Sequence, residues 1–356
     1  MDLQTRIDAF VQLGILLKDF SKSNVPIKKP LLGFEKYYEM MPRIIEDAKL
    51  YNGWFTEDNI RFSFSNWANE LTKENIENWM RHYKLPVKKS KRIALIMAGN
   101  VPLVGFHDFL CVLLSGHKAL IKLSSNDKKI LPFLTEFLIE NDSSLKNDVV
   151  FTDGQLDEYN AVIATGSDNT SRYFEYYFRN KPHIIRKNRN AVALLTGNET
   201  KKELELLADD IFRYYGLGCR NVAKLYVPEN YNFQCFFEAL YNWKHIVEDI
   251  KYMNNYDYNK AIYLMSNHKT SDLLDNNFLL LKEEESLSSP IGVLFYSYYK
   301  TQAELEELLL IKQNKIQCIV SKMELPLETI DFGKTQTPRL TDYADYVDTM
   351  KFLEKL

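Results

Sequence analysis

Between residues 92 and 187 the chain alternates short, continuous apolar runs with segments that carry apolar residues at helical spacing. Residues 92–97 and 118–123 are largely apolar, a pattern typical of strands in a parallel sheet that is covered on both faces. Residues 103–115 and 128–140 have the length and spacing of helices. This alternation predicts a doubly wound α/β domain, in which ligands gather at the carboxyl ends of the strands.

The same pattern continues along the rest of the chain. Two further short strands are predicted, followed by a helix that ends at Phe178, and beyond Pro182 a second α/β unit is predicted. The expected strands are residues 149–151, 161–164, 183–186, 191–195, 223–227, 278–281, 292–296 and 316–320, and the expected helices of the second unit are residues 201–214, 233–243, 258–266 and 302–312.

Helical patterns without intervening strands fill the segment before residue 90, and a short amphipathic helix is expected near the C-terminus. Four regions are therefore predicted, at residues 1–90, 91–187, 188–325 and 326–356. The first region is expected either to pack on the first α/β domain or to cover a substrate channel, and the sequence leaves both roles open.

Composition and charge exclude several classes of protein. The 356 residues are 46% hydrophobic and 26% charged, with a net charge of -3 from interspersed acidic and basic residues, which is ordinary for a soluble globular protein and unlike a nucleic-acid surface. The four cysteines and six histidines have neither disulfide-framework nor zinc-ligand spacing, so no metal is expected. No signal peptide and no membrane-length apolar run is recognised, and the cytoplasm is the expected location.

One cysteine lies in a loop that suits a nucleophile. Cys219 follows Gly216-Leu217-Gly218, between a helical segment and an apolar strand-like run. Glycines allow a substrate to approach the thiol closely, and the adjacent Arg220 favours the thiolate form. A buried structural cysteine is the alternative, because most single cysteines are small core residues.

Four spaced motifs and the tail resemble the aldehyde dehydrogenase superfamily, and within it the acyl-CoA reductases of the kind used in bacterial bioluminescence. The resemblance covers about residues 90–350 and implies a Rossmann-type cofactor domain at residues 91–187, a catalytic domain at residues 188–325 and a helical N-terminal segment. The motifs are Met97-Ala98-Gly99-Asn100-Val101-Pro102-Leu103, Gly116-His117-Lys118-Ala119-Leu120-Ile121-Lys122-Leu123-Ser124, Ala164-Thr165-Gly166-Ser167 and Gly216-Leu217-Gly218-Cys219, with the tail Pro338-Arg339-Leu340-Thr341-Asp342-Tyr343 continuing to Met350.

The resemblance implies the chemistry of an acyl-enzyme. Cys219 is expected to attack the thioester carbonyl of an acyl-CoA, and hydride transfer then releases an aldehyde. The side-chain amide of Asn100 and the backbone N–H of Cys219 are expected to stabilise the oxyanion. An Asx turn ahead of Pro102 is the alternative interpretation of Asn100.

The cofactor-binding residues implied by the resemblance are Lys122, Ser124, Ser125, Gly166, Ser167 and Glu285. Ser125 stands where NAD-preferring relatives often carry a glutamate, so NADPH is favoured and NADH is the alternative, although the nearby Asp127 opposes the phosphate. Gly166 and Ser167 are expected to begin a helix that faces the pyrophosphate, or simply to cap that helix.

The general base of hydrolytic aldehyde dehydrogenases has no counterpart. Residues 184–190 contain no acidic residue in the window where the resemblance places that glutamate, which favours transfer to CoA or reduction over hydrolysis. This window also contains three basic residues, Arg186, Lys187 and Arg189. They are expected either to have a structural role or to contact CoA phosphates. The alternatives to an acyl-CoA reductase are a reductase of an acyl phosphate, similar to glutamyl phosphate reductases, and a non-catalytic scaffold. A homo-oligomer, either a homodimer or a larger assembly, is expected.

Overall fold

The protein is described by a computed structural model that covers residues 2–23, 30–266 and 273–356. The chain divides into two compact units. The first unit comprises residues 1–187 and 339–356, and the second comprises residues 188–338. Both units are built on a sheet of mainly parallel strands flanked by helices, so the predicted α/β fold class is confirmed.

The sheet of the first unit is parallel throughout, in the order β3-β2-β1-β4-β5. Its central strand β1 pairs with β2 and β4, and Ile96 is aligned with Lys122 on one side and with Ala164 on the other. The carboxyl ends of these three strands therefore lie side by side. The strands are β1 (Arg92–Ile96), β2 (Lys118–Lys122), β3 (Val149–Phe151), β4 (Ala161–Thr165) and β5 (His183–Arg186).

Helices connect and cover these strands as the alternating pattern predicts. They begin two or three residues later than predicted, because turns occupy the residues that follow β1 and β2. The connecting helices are α5 (Phe106–Leu114), α6 (Ile130–Asn141) and α7 (Asp168–Phe178).

The N-terminal helices share the hydrophobic core of the first sheet. Phe10 of the first helix packs edge-on against Phe106 and Phe109. Arg6 is fully buried and donates to Asp142 Oδ2 at 2.8 Å and to Asp148 Oδ2 at 3.0 Å. Packing on the first α/β domain, one of the two roles left open, is thus observed. The helices are α1 (Leu3–Asp19), α2 (Glu35–Tyr51), α3 (Glu57–Glu70) and α4 (Lys73–Met80).

The second unit contains a six-stranded sheet in the order β11-β6-β7-β10-β9-β8. All neighbouring strands are parallel except β8 and β9, and the antiparallel strand β8 is absent from the sequence prediction. The strands are β6 (Asn190–Leu194), β7 (Val222–Pro228), β8 (Leu273–Asp275), β9 (Leu280–Glu283), β10 (Val293–Tyr299) and β11 (Ile316–Val320), and the helices are α8 (Lys201–Phe212), α9 (Phe233–Leu240), α10 (Ile250–Met265) and α11 (Gln302–Lys312).

The chain returns to the first unit at residue 339 and ends in helix α12 (Thr349–Glu354). Arg186, at the end of β5, is buried and bonds to Asp108 Oδ1 at 2.6 Å, to the Ala344 carbonyl at 2.7 Å and to Thr349 Oγ1 at 2.9 Å. One guanidinium thus links β5, α5 and the C-terminal segment. Arg186, one of the three residues considered for CoA phosphates, thus has a structural role.

Candidate active site

The turns after β1 and β2 approach each other at the carboxyl edge of the first sheet. A Cβ placed on Gly99 would lie 2.6 Å from Ser124 Cβ and 2.7 Å from Ser124 Oγ, distances that side chains do not adopt. Only glycine fits at residue 99. Two sequence motifs that are predicted to act together are therefore in direct contact.

Asn100 lies in the turn that follows β1, and its side-chain Oδ1 is buried. The preceding carbonyl, of Gly99, accepts a hydrogen bond from Asn52 Nδ2 at 2.8 Å, so the N-terminal helical region fixes this turn. Leu103, at the end of the turn, has a left-handed backbone with φ 59°. The conformation of this turn is therefore held by contacts from outside it, and it is not explained by an Asx turn alone.

Lys122 ends β2, and its ammonium group donates to the Gly154 carbonyl at 2.9 Å in the loop after the neighbouring strand β3. Ser124 Oγ accepts the backbone N–H of Asn126, and Ser125 is exposed. A primary amine and two hydroxyls are thus grouped at one sheet edge. The group suits the recognition of ribose or phosphate oxygens.

Asp127 closes the same turn but is buried, with 8% of its surface exposed. Burial raises the pKa of its carboxyl to about 7, although a backbone hydrogen bond from Leu103 lowers it slightly. Within the described residues its Oδ1 has no hydrogen-bond partner. The negative charge expected to oppose a 2′-phosphate is consequently only partly present near neutral pH, and the carboxyl is withdrawn from solvent.

Gly166 and Ser167 follow β4 and lead into α7. The Ser167 hydroxyl accepts the Thr170 N–H at 3.4 Å and thereby caps the helix. A Cβ on Gly166 would lie 3.1 Å from atoms of both Thr170 and Phe174, so the backbone is held close to the helix. A helix therefore begins directly after these residues, as predicted, and a helix N-terminus is in general suited to bind an anionic group.

The loop that carries Cys219 has an unusual backbone. Tyr214, Tyr215 and Gly216 are consecutive residues in the left-handed region, with φ of 55°, 58° and 76°. Left-handed conformations cost about 1–2 kcal/mol for each residue other than glycine. Strain of this kind persists only where surrounding contacts enforce it, and such contacts cluster at functional sites.

A short turn presents Cys219, whose side chain is half-buried. The Asn221 N–H donates to the Gly218 carbonyl at 3.0 Å, and the Gly218 N–H donates to Asn221 Oδ1 at 2.8 Å. Cys219 and Arg220 are the two central residues of this doubly closed turn. Sequence reasoning missed Asn221, whose only signal is its position directly before an apolar strand.

A buried lysine connects the strand after Cys219 to the segment of Glu285. Lys224 is fully buried in β7, and its ammonium group bonds to the Glu284 carbonyl and to Ser297 Oγ. Burial lowers the pKa of Lys224 to about 7, and Lys312 adds to this effect. Glu285 itself is exposed beside these contacts. Sequence analysis did not identify Lys224, because a lysine within an apolar run gives no indication of its partners.

The remaining basic residues near the missing base have surface or structural partners. Lys187 pairs with Glu175 at 2.6 Å, and Arg189 donates to the Ile316 carbonyl at 3.4 Å. Cofactor candidates Lys122, Ser124, Ser125, Gly166 and Ser167 all belong to the first unit with Asn100, whereas Cys219 and Glu285 belong to the second.

Neither a metal centre nor a membrane span is found in the part of the chain that the structure describes. Its His, Cys, Asp and Glu side chains form no group of three or more that is suited to hold a metal ion. Among those same residues, no helix combines the length and the apolar character needed to cross a membrane.

The comparisons with known families and structures agree with this architecture. The family model described as "Acyl-CoA reductase (LuxC)" matches residues 69–243, a segment that includes Asn100, Lys122, Ser167 and Cys219. A comparison with curated proteins gives no match. The resemblance stated from the sequence motifs is thus supported by the family model over the region that carries them.

Solved structures of aldehyde dehydrogenases share the fold. Aldehyde dehydrogenase 21 from Physcomitrella patens, in complex with succinate, has a TM-score of 0.64 and 12% identity, covering 98% of this chain and 87% of its own. An indole-3-acetaldehyde dehydrogenase complexed with NAD+ has a TM-score of 0.63 and 12% identity, with coverages of 90% and 72%. The aldehyde dehydrogenase KauB from Pseudomonas aeruginosa has a TM-score of 0.60 and 13% identity, with coverages of 91% and 73%. At these identities the likeness establishes the fold alone.

Proposed function

We propose that this acyl-CoA-reductase-like protein of the aldehyde dehydrogenase superfamily reduces an acyl-CoA thioester to an aldehyde with NADPH, through an acyl-enzyme on Cys219. The observation that carries the proposal is that Cys219 lies in a doubly closed turn shortly after the strained residues Tyr214 and Tyr215, within the segment matched by the acyl-CoA reductase family model. A cysteine that served only to fill a core would not require such a backbone.

In the proposed acylation, the Cys219 thiolate attacks the thioester carbonyl carbon, a new C–S bond forms, and the CoA thiolate leaves and takes up a proton. The Asn100 amide and the Cys219 backbone N–H are the proposed donors to the developing oxyanion, typically worth a few kcal/mol each. NADPH supplies the hydride that reduces the acyl group. The products are an aldehyde and the restored thiolate.

The residues at the edge of the first sheet fit a dinucleotide. Lys122, Ser124 and exposed Ser125 provide donors for ribose or phosphate oxygens, and the N-terminus of α7 after Gly166 suits the pyrophosphate. Glu285 is proposed to hold the nicotinamide ribose. Structures of the same fold include complexes with NAD+. Within residues 123–127, directly after Lys122, the only carboxyl is that of the buried Asp127, and this supports the preference for NADPH.

The residues around the end of β5 offer no general base that would hydrolyse the acyl-enzyme. Residues 184–190 contain no acid, so this window provides no carboxylate to activate water. The acyl group is then available to hydride or to CoA. An acyl phosphate is the second proposed substrate class, because the same thiol and the same missing base also suit it.

The first experiment is intact-mass spectrometry after incubation with acyl-CoAs of graded chain length and no nicotinamide. The wild type is expected to gain one acyl group that NADPH discharges, and Cys219→Ala is expected to gain none. Cys235→Ala, which removes an exposed cysteine of the same unit, is the matched control and should still be acylated. No adduct from any acyl-CoA would contradict the proposal, and an adduct formed only from an acyl phosphate would establish the alternative.

The cofactor preference has its own test in Lys122→Ala. If Lys122 contacts the 2′-phosphate, the variant should weaken NADPH binding about tenfold or more and weaken NADH binding less, since a charge-assisted hydrogen bond is lost only with NADPH. Tryptophan fluorescence quenching measures both affinities. If the variant weakened the binding of NADPH and of NADH equally, Lys122 would not contact the 2′-phosphate.

A further inference from the structure

The side chain of Asn221 joins the end of a helix to the turn of the proposed nucleophile. Its Nδ2 donates to the backbone carbonyls of Arg213 at 2.7 Å, Asp210 at 3.1 Å and Ile211 at 3.3 Å. Its Oδ1 accepts the N–H of Gly218 at 2.8 Å. With 2% of its surface exposed, Asn221 makes these contacts away from solvent.

Asp210 and Ile211 lie in the last turn of α8, which finishes at Phe212, and Arg213 is the capping residue that follows it. The last carbonyls of a helix have no partner within the helix, and burying them without one is unfavourable. Asn221 supplies that partner from a residue later in the chain. The helix end and the residues around Cys219 are therefore fixed to one another through a single amide.

The hydrogen bonds of the same amide lie on both sides of the left-handed residues Tyr214, Tyr215 and Gly216. They lie between its partner Arg213 and its partner Gly218, so the bonds of Asn221 span the strained segment on both sides. Two consecutive tyrosines in this region are intrinsically unfavourable. The buried hydrogen bonds of Asn221 offset that cost and keep the chain from relaxing toward a more common conformation.

The position also demands asparagine specifically. The contacts require an acceptor and an NH₂ group on a side chain of this length. Aspartate offers only acceptors and would face three carbonyl oxygens, and serine offers one donor. Asn221 also directly precedes β7, and its own carbonyl accepts the Ala191 N–H at 3.2 Å, which ties the turn to β6.

We propose that Asn221 is the positioning residue for Cys219, holding both the thiol and the Cys219 N–H in the geometry required for acylation. This inference rests on the proposed acyl-enzyme function. Asn221 acts through the backbone of the turn and does not contact the substrate. Loss of its amide is expected to slow acylation much more than it weakens the binding of the dinucleotide, whose proposed ligands are mostly in the other unit.

The test compares Asn221→Ala with Asn259→Ala. Asn259 is a buried asparagine of the same unit whose Nδ2 donates to the Asn255 carbonyl at 2.9 Å and the Ile291 carbonyl at 3.0 Å, so it controls for the loss of a buried amide. Asn221→Ala should reduce the rate of acyl-adduct formation about a hundredfold, since small misplacements of reacting groups cost that much. Asn259→Ala should change the rate less than about threefold, and NADPH affinity should be nearly unchanged in both variants.

A second variant and a second readout keep the test decisive. Asn221→Ser retains an acceptor and should still slow acylation at least about tenfold, even if Asn221→Ala does not fold. The pH profile of Cys219 alkylation by iodoacetamide should shift in Asn221→Ser and not in Asn259→Ala. Acylation by Asn221→Ser at the wild-type rate would overturn the inference. An acyl adduct absent from the wild type would instead overturn the proposed function.

Discussion

At the residue scale, the contact between Gly99 and Ser124 shows how the two turns of the proposed cofactor site depend on each other. Gly99 is required because a neighbouring turn occupies the space of its missing side chain, and its φ lies outside the left-handed region. Any added atom must move the turn of Asn100 or the turn of Ser124. Both movements affect groups that are proposed to act on substrate or cofactor.

We expect Gly99→Ala to reduce both NADPH affinity and the rate of acylation about tenfold. The added methyl group would lie 2.6 Å from Ser124 Cβ, and overpacking of this kind costs about 1–3 kcal/mol. Gly154→Ala is the matched control, because its added Cβ meets only Thr152 Oγ1 at 3.6 Å, an ordinary contact. Fluorescence titration and adduct kinetics measure the two effects, and equal behaviour of both variants would refute the steric argument.

The buried carboxyl of Asp127 makes stability depend on pH. Its folded-state pKa, about 7, lies above the ordinary value of 3.8, so the stability that protonated Asp127 contributes is lost as pH rises toward 7. Asp127→Asn removes this dependence. Between pH 5 and pH 8 we expect the unfolding free energy of the wild type to fall relative to the variant by on the order of 2–3 kcal/mol.

Urea denaturation at the two pH values measures the effect. Asp153→Asn is the control, because Asp153 is an exposed carboxyl whose pKa is lowered by its hydrogen bond to Lys128. Its titration lies below this pH window, so its stability curve should follow that of the wild type. Parallel curves for wild type and Asp127→Asn would show that Asp127 ionises normally.

At the scale of elements, helix α8 delivers the chain to the turn of Cys219 and is fixed at both ends. At its start, a capping box joins the Thr200 hydroxyl to the Glu203 N–H and the Glu203 carboxylate to the Thr200 N–H. At its end, Asn221 bonds its last carbonyls. A helix secured in this way provides a rigid base for the strained turn that follows.

Thr200→Ala is expected to lower the unfolding free energy by about 1 kcal/mol, the usual effect of losing an N-cap hydroxyl. The site residues are untouched, so acylation at a temperature well below unfolding should change little. Asn198→Ala, an exposed substitution just before the cap, controls for removal of a nearby polar side chain. Thermal or urea unfolding compares the two, and an equal effect of both would contradict the role of the capping box.

At the scale of the whole molecule, the chain leaves the first unit after residue 187 and returns to it at residue 339. The returning segment is held by the buried pair of Arg186 and Asp108 together with Thr349. Burial alone raises the pKa of Asp108, but the adjacent Arg186 holds it below its ordinary value. The ion pair thus integrates the C-terminal residues into the first unit.

Asp108→Ala leaves the Arg186 guanidinium buried without its carboxylate and is expected to destabilise the protein by about 3–5 kcal/mol. Glu175→Ala breaks the exposed pair with Lys187 and is expected to cost about 0–1 kcal/mol. Denaturant unfolding of both variants gives the comparison. Similar small losses in the two would mean that the buried pair does not hold the C-terminal segment.

The sequence by itself determined the α/β fold class and the location of most helices and strands. Continuous apolar runs of strand length must be buried on both faces, and only a covered parallel sheet satisfies several such runs in alternation with helices. The strand order and the antiparallel strand β8 were not determined in this way, because pairing depends on contacts between segments far apart in the chain.

The family resemblance of the motifs also indicated the proposed site residues, and Asn100, Lys122, Ser124 and Ser167 lie at or after the ends of strands that are adjacent in one sheet. Only the tertiary structure decided how their neighbours behave. Asp127 was expected to oppose a 2′-phosphate and is buried, and Arg186, for which both a structural role and contact with CoA were open, is paired with Asp108. The position of Asn221 before an apolar strand was its only sequence signal, because its hydrogen-bond partners are backbone groups that folding brings to its side chain. The local pattern of apolar and polar residues indicates which residues prefer burial. The hydrogen-bond partners of a side chain and its ionisation depend on the residues that pack around it in the folded protein.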